Sequence, residues 1–176
     1  MESVGNCRAC VVEIEGERVL APSCCRYPSE NMKVQTDSAR ALVSQKMVLE
    51  LLQSDMPSTA YTLNNELDQW SLAMSLGKPR YAPRPKVQQD ATHAAITVNL
   101  DACIQCTRCV RACRDEQVND VIGFAFRGAH SQVVFDMDDP MGDSTCVGCG
   151  ECVQACPTGA LMPAQEVGLV KADRLV

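Results

Sequence analysis

The chain is poor in aromatic residues and in histidine, and long apolar segments are absent from it. Its 176 residues include three Phe, three Tyr, one Trp and two His. No apolar stretch reaches 18 residues, and residues 1–20 do not combine a basic start with an apolar run. We therefore expect no membrane insertion and no secretory signal, but a soluble protein of the cytoplasm.

Two kinds of functional motif are also missing. No Gly-rich segment has the spacing that cradles a nucleotide phosphate, and no nucleophile stands in a recognisable arrangement with a base. A net charge of −6 argues against nucleic acid and anionic membranes as partners. We expect a chain that performs no bond chemistry itself and whose acidic surface suits basic partner proteins.

Cysteine is the residue type in excess. Twelve Cys stand beside few large side chains from which a core could be built. Metal–sulfur bonds would have to supply part of the missing stability. The metal-free chain should therefore fold poorly.

Eight of the cysteines form two runs with the same spacing. Residues 103–113 read CIQCTRCVRAC, and residues 146–157 read CVGCGECVQACP. Both have the spacing C-x2-C-x2-C-x3-C with a constant offset of 43 residues, and the second ends in the proline typical of bacterial [4Fe-4S] ferredoxins. Arg114 stands where the first run would have its proline. The runs predict two [4Fe-4S] clusters on a pair of related loops and short helices.

The fourth cysteine of each run lies too far along the following helical turn to close the cluster of its own run. In two-cluster ferredoxins it binds the other cluster. This rule predicts two crossed ligand sets, which would tie the two halves together. The first set is Cys103, Cys106, Cys109 and Cys156, and the second set is Cys146, Cys149, Cys152 and Cys113.

A zinc site and a disulfide framework are the alternatives. Zinc takes four ligands in two pairs, whereas each run here has three evenly spaced cysteines and a fourth. Disulfides require an oxidising compartment. Iron–sulfur clusters are therefore the favoured interpretation.

The remaining four cysteines lie in the first 25 residues. A loop with Cys7 and Cys10 precedes an apolar strand, and a turn and a second strand lead to Cys24 and Cys25. Two thiols on a loop and one on the returning strand suggest a [2Fe-2S] site. Adjacent residues rarely point at one metal, so we expect Cys25 to be a small buried residue. An exchange of roles with Cys24 is the alternative.

The stretch GNCRACVVEIEGERVLAPSC resembles the N-terminal [2Fe-2S] segment shared by three kinds of subunit. These are the large iron–sulfur subunit of complex I, the diaphorase of NAD-linked hydrogenases and the α subunit of NAD-dependent formate dehydrogenases. In that family four cysteines bind the cluster, and the resemblance implies that Cys7, Cys10 and Cys24 are three of them. The fourth would lie upstream of this sequence. We therefore expect a fragment with an incomplete [2Fe-2S] site.

The middle of the chain predicts two helices and a linker. One helix runs from about residue 38 to 54 and is capped by Thr36 or Asp37. A second helix has an apolar stripe that predicts burial, formed by Leu63, Leu67, Trp70 and Met74. Residues 78–86, KPRYAPRPK, predict an extended linker, with a docking strip for an acidic partner as the alternative. Residues 26–92 contain no Cys or His, so the His-plus-three-Cys cluster of the complex I relatives is not expected.

The first [4Fe-4S] run differs from the second in charge. Arg108, Arg111 and Arg114 recur every three residues and could share a helical face beside the first cluster, where they would raise its potential. Solvated surface arginines are the alternative. Between the runs, residues 121–135 predict an inserted hairpin.

Over residues 94–163 the sequence resembles one of these three kinds of subunit in particular. VNLDACIQCTRCVRACRDEQVNDVIG and DDPMGDSTCVGCGECVQACPTGALMP are similar to the α subunit of soluble, molybdenum-containing, NAD-dependent formate dehydrogenase. The resemblance implies an oxidoreductase in which electrons pass from formate at a molybdopterin catalytic domain, through these clusters, to flavin- and NAD-binding diaphorase subunits. The alternatives are a diaphorase-type subunit of an NAD-linked hydrogenase or complex I, and a free-standing ferredoxin-like carrier.

Together these observations predict an α+β chain in three parts. Residues 1–56 form a partial β-grasp [2Fe-2S] ferredoxin-like domain with a helix, and residues 57–92 form a helix and a Pro-rich basic linker. Residues 93–176 form a bacterial two-[4Fe-4S] ferredoxin-like domain with the inserted hairpin.

Overall fold

The computed structural model describes residues 3–56 and 65–168. Its helices are α1 (Ala39–Ser54), α2 (Glu66–Ala73), α3 (Arg108–Arg111) and α4 (Glu151–Ala155). Its strands are β1 (Val11–Ile14), β2 (Ala21–Pro22), β3 (Val34–Gln35), β4 (Ile96–Val98), β5 (Ile122–Ala125), β6 (Gln132–Phe135) and β7 (Leu161–Pro163). The mixture of helices and strands is the one predicted. None of the helices in these ranges has the length and apolar character that a membrane crossing requires.

The N-terminal part is a small sheet covered by one helix. β1 lies in the middle and pairs antiparallel with β2 and with β3. Val12, Ile14 and Ala21 form a buried core, and α1 packs against β1. The buried side chain of Gln45 on α1 donates from Nε2 to the carbonyl oxygen of Val11 over 2.8 Å, which satisfies polar groups on both elements.

Helix α1 covers the predicted range, but its cap differs from the prediction. The Ser38 hydroxyl, rather than Thr36 or Asp37, accepts a hydrogen bond from the Ala41 N–H over 3.2 Å. The sheet is narrow, so only part of the apolar surface of the helix is covered. Leu49 is buried, whereas three other apolar side chains stay exposed, namely Val43, Met47 and Leu51.

Helix α2 also departs from its predicted stripe. The Asn65 side chain caps it by accepting from the N–H groups of Leu67 and Asp68 over 3.0 and 3.3 Å. The helix has only two turns and buries Leu67 and Ser71, which lie four residues apart. Trp70 lies to one side and is 57% exposed, so its prediction as a core residue was wrong. Leu63 falls outside the described residues.

The C-terminal part is closed by strands from its two ends. β4 precedes the first cysteine run and β7 follows the second, and they pair antiparallel with Val98 opposite Leu161. This pairing brings the two runs side by side around one buried core. The inserted hairpin is confirmed, because β5 pairs antiparallel with β6, and Val133 and Phe135 join that core.

The predicted linker is tied to the structure at several points. Both Arg80 Nε and Arg80 Nη2 donate to the Glu50 carboxylate of α1 over 2.7 Å. Further along, the Arg84 N–H donates to Asp55 Oδ1 over 2.9 Å, at the end of α1. We call residues 78–88 the strap, because they run from α1 to the first cysteine run.

Beyond the strap, Asp90 joins two distant segments. Its backbone exchanges two hydrogen bonds with Val98 of β4, over 2.9 and 2.8 Å. Its carboxylate accepts from the Met141 N–H over 2.7 Å and from the Thr92 N–H and hydroxyl over 2.8 and 2.6 Å. Burial acts to raise the pKa of Asp90, but these hydrogen bonds outweigh it and lower the pKa below its ordinary value.

Gly142 lies so close to this junction that a methyl group would not fit. A Cβ at this position would lie 2.6 Å from the carbonyl carbon and oxygen of Thr92. We expect Gly142→Ala to lower the free energy of unfolding by about 1–3 kcal/mol, because the backbone would have to move. Gly77→Ala is the matched control, since a Cβ there has no neighbour within 4 Å. Thermal unfolding of the anaerobically purified proteins measures the effect, and equal midpoints for the two variants would contradict it.

The depressed pKa of Asp90 predicts a pH-dependent contribution to stability. The charged form is favoured in the folded state, so the contribution is present above the unfolded pKa of about 3.9 and is lost as the pH falls through the folded pKa. We expect Asp90→Asn to cost about 1 kcal/mol at neutral pH, a modest value because the carboxylate is partly solvated. The cost should shrink at acid pH. Urea unfolding across pH checks this, with Asp143→Asn in the neighbouring turn as control.

Candidate metal centres

The two cysteine runs form loops with the same backbone conformation. Gln105 and Gly148, which are related by the 43-residue offset, both have left-handed φ angles, of 54° and 66°. In each loop this residue donates its N–H to the sulfur two positions earlier. Gln105 N lies 3.4 Å from Cys103 Sγ, and Gly148 N lies 3.4 Å from Cys146 Sγ. The two-residue spacing therefore turns a peptide N–H toward the first thiol of each run.

The thiols of the first set line one cavity. Cys103, Cys106 and Cys109 come from the first run, and Cys156 comes from the end of α4 in the second run. The rest of the wall is mainly apolar and includes Leu100, Val133 and Leu161. Pro157 disfavours a helical conformation at Cys156, which is extended with φ −75° and ψ 117°.

The thiols of the second set line another cavity. Cys146, Cys149 and Cys152 surround it together with Cys113, and its walls include Val121 and Ile122. Without a following proline, the chain continues past α3 into a π-helical turn, Ala112–Glu116, and this turn carries Cys113. The two groupings are those that the crossed-ligand rule predicts.

Electrostatic interactions within the first set follow the same grouping. Burial, together with the neighbouring Cys103 and Cys156 thiols, raises the pKa of Cys106 to about 11. Burial also raises the pKa of Cys109 well above its ordinary value. These thiols keep their protons at neutral pH unless positive metal atoms replace them.

The second set behaves in the same way. Burial, together with the Cys146, Cys149 and Cys113 thiols, raises the pKa of Cys152 to about 12. Cys109 of the first set also interacts with Cys152 of the second, and α3 packs against α4. The two sets therefore approach each other through two buried cysteines.

The donor sets fit iron–sulfur clusters better than the alternatives. All twelve cysteines lie in the described ranges and none forms a disulfide. Within those ranges no three Cys, His, Asp or Glu side chains converge closely enough to hold one metal ion. Four thiols instead surround each apolar cavity. Such a wider, all-thiol arrangement suits a group of several metal atoms.

The two sets differ in exposure. In the first set Cys109 is buried and the other three thiols are half-buried, whereas Cys149 of the second set is exposed. Val147 beside it is 67% exposed. Cys113 and Cys152 of the second set are buried, so solvent reaches this set mainly at Cys149.

The N-terminal cysteines are brought together only in part. Interaction with Cys10, together with burial and the adjacent Cys25, raises the pKa of Cys24 to about 11. Cys25 was expected to be buried but is exposed, with its sulfur 3.6 Å from that of Cys24. Cys7 lies within electrostatic range of Arg108 on α3. The loop carrying Cys7 also contacts the first run, because Asn6 Nδ2 donates to the Gln105 carbonyl over 2.6 Å.

Arg108 and Arg114 of the first run have different partners. Arg108 pairs with Glu66 of α2 over 3.1 Å and lies within electrostatic range of Cys106. Arg114 pairs on the surface with Asp115 over 2.8 Å. Arg84 was missed by sequence reasoning, and it contacts the first run from the strap through the carbonyl oxygens of Leu100 and Cys103. A basic residue in a Pro-rich segment gives no signal of such a contact.

Comparisons with known proteins support the two-part organisation. Residues 1–39 match the family described as "2Fe-2S iron-sulfur cluster binding domain". Residues 102–160 match the family described as "4Fe-4S dicluster domain". Both kinds of cluster-binding segment are therefore confirmed, while the β-grasp description and the domain limits stay predictions.

Two relatives align along almost the whole chain. A "NADP-reducing hydrogenase subunit HndD" from Solidesulfovibrio fructosivorans is 37% identical over 97% of this chain and 31% of its own length. "Putative formate dehydrogenase SH0748" from Staphylococcus haemolyticus (strain JCSC1435) is 29% identical over 96% of this chain and 17% of its own length. The chain thus spans less than a third of either relative.

A solved structure shares the fold. A chain of the NAD+-reducing [NiFe]-hydrogenase in its H2-reduced state superposes with a TM-score of 0.85 at 23% identity, over 97% of this chain and 74% of that one. Over nearly its whole length the chain is therefore similar to a segment of each of these two relatives, and it shares the fold of the hydrogenase chain.

Pairs of Cys→Ala substitutions test the crossed ligand sets. Each cluster holds four iron atoms, so a pair within one set should leave about four iron atoms per chain and a pair across sets almost none. Cys103→Ala with Cys156→Ala should retain the second cluster, whereas Cys103→Ala with Cys113→Ala should lose both. Iron analysis of anaerobically purified protein measures this. The reverse pattern would show that each run closes its own cluster.

Proposed function

We propose that this chain is the electron-relay part of an NAD(P)-linked oxidoreductase. The observation that carries the proposal is the pair of crossed thiol sets lining two adjacent apolar cavities. When bound there, [4Fe-4S] clusters supply one-electron transfer. The protein's part is to hold the clusters close together and to keep water away from them.

Particular residues would perform these tasks. Leu100, Val133 and Leu161 line the first cavity and would exclude water from it. The fully buried Thr158 donates from its hydroxyl to the Ala102 carbonyl over 2.6 Å, which fixes the segment after Cys156 against the start of the first run. A fixed backbone keeps the thiols in place when the charge of a bound cluster changes.

The N-terminal cysteines would form a third site next to the first set. Cys7, Cys10 and Cys24 match three ligand positions of the resembled family, and Asn6 joins their loop to the first run. We propose that these three cysteines are ligands of a [2Fe-2S] cluster. In a longer protein it would extend the relay beyond the first set.

Two catalytic partners are compatible with this relay. The resemblance in the cysteine runs favours a molybdopterin domain that oxidises formate, with flavin- and NAD-binding subunits as electron acceptors. The 37% identity to a hydrogenase subunit supports hydrogen as the substrate of the partner instead. In both cases we propose a cytoplasmic assembly.

Iron content tests the proposed clusters. We expect about eight iron atoms per chain from two [4Fe-4S] clusters, and no substantial zinc. About two further iron atoms would show that the N-terminal site is complete in this chain. Zinc in place of iron would refute the relay. Iron and zinc are measured together on anaerobically purified protein.

The electron donor distinguishes the possible partners. In the native assembly, formate should bleach the cluster absorption if the partner is a formate dehydrogenase, and H2 should do so if it is a hydrogenase. NAD(P)H should bleach it in either case, through the flavin. Bleaching by dithionite alone, with no subunit co-purifying, would favour the free-standing carrier.

A further inference from the structure

Arg84 is a half-buried cation next to the first thiol set. Its Nη2 donates to the carbonyl oxygens of Leu100 and Cys103, over 2.5 and 2.6 Å. Its own N–H is held by Asp55 at the end of α1. The guanidinium is therefore fixed from both the strap and the cysteine loop.

The charge of Arg84 differs from that of other nearby arginines. Arg80, Arg108 and Arg114 each pair with a carboxylate. The guanidinium hydrogen bonds described for Arg84 go to neutral carbonyl oxygens. Its positive charge also acts on the Cys103 thiol, where it opposes the effect of burial on the pKa. The positive charge of Arg84 therefore acts on the first thiol set.

One donor of Arg84 remains available. Its Nε is buried, and within the described ranges it has no hydrogen-bond partner. A buried N–H without an acceptor is costly, and native structures rarely keep one. A cluster held by Cys103 would bring sulfur atoms to this region, and sulfur accepts hydrogen bonds from N–H groups.

We propose that Arg84 is a positioning residue that raises the reduction potential of the first cluster. The inference rests on the proposed function, because it requires a cluster on Cys103. Uptake of one electron makes the thiolate-bound cluster more negative by one charge, so a fixed positive charge stabilises the reduced form more than the oxidised form. An electron on the second cluster is then drawn toward the first.

Redox titration followed by electron paramagnetic resonance tests the role of Arg84. Arg84→Gln removes the charge, and Arg84→Lys keeps it without the planar fork of donors. Arg80→Gln is the matched control, because it removes a charge from the same strap that is already paired with Glu50. All four proteins are purified anaerobically with their native iron and reduced with dithionite.

In Arg84→Gln we expect one of the two midpoint potentials to become more negative. We expect the ratio of oxidised to reduced cluster at a fixed potential to rise about tenfold, which corresponds to a shift of 59 mV in the midpoint potential of a one-electron couple. The other midpoint potential should not change. Arg84→Lys should have a midpoint potential close to that of the wild type, and Arg80→Gln should match the wild type at both potentials. Unchanged potentials in Arg84→Gln would overturn the proposal and leave Arg84 a structural tie.

Loss of the cluster has a separate meaning. If Arg84→Gln lacks four iron atoms, Arg84→Lys distinguishes the two explanations. A midpoint potential near that of the wild type in Arg84→Lys supports the role of the positive charge. The same loss of iron in Arg84→Lys shows that Arg84 has a purely structural role. If the wild-type chain itself holds no iron, the proposed relay fails, whatever Arg84 does.

Discussion

The structure depends on two cavities, each lined by four cysteines that come from both cysteine runs. Burial raises the pKa of Cys106 and Cys152, so the sets resist ionisation until metal atoms neutralise them. β4 and β7 pair across the two runs, and Thr158 binds the Ala102 carbonyl. Because Cys113 and Cys156 each line the cavity of the other run, each cavity takes cysteines from both runs.

The sequence was informative where chemistry imposes a fixed spacing. The grouping of the eight cysteines, the range of α1 and the inserted hairpin could all be predicted, because ligand spacing and hydrophobic periodicity are local signals. Trp70, Cys25 and Arg84 could not. Their environment depends on which distant segment covers them, and no local pattern records that. Ser38 caps α1, one or two residues after the predicted caps Thr36 and Asp37. All three side chains suit this position, and the sequence alone does not fix the end of a helix to one or two residues.

The parts of the chain are joined more closely than three separate domains would be. Asn6 reaches the first cysteine loop, Glu66 of α2 pairs with Arg108, and the strap connects α1 to Cys103. The first thiol set is therefore the meeting point of the N-terminal sheet, the helices and the dicluster part. The likeness to relatives along nearly the whole chain agrees with this arrangement, since the segments would be retained together.

The two loops share a backbone but differ in what covers it. At the left-handed positions the first loop has Gln105 and Thr107, and the second has Gly148 and Gly150. A non-glycine residue there carries a conformational cost, and in the first loop Gln105 also binds Ser131 of the hairpin. The second loop has no side chains at these positions. A Cβ at Gly148 would lie 3.8 Å from the His93 ring, so the second loop is covered by a side chain from the segment before β4, whereas the first loop carries its own Gln105.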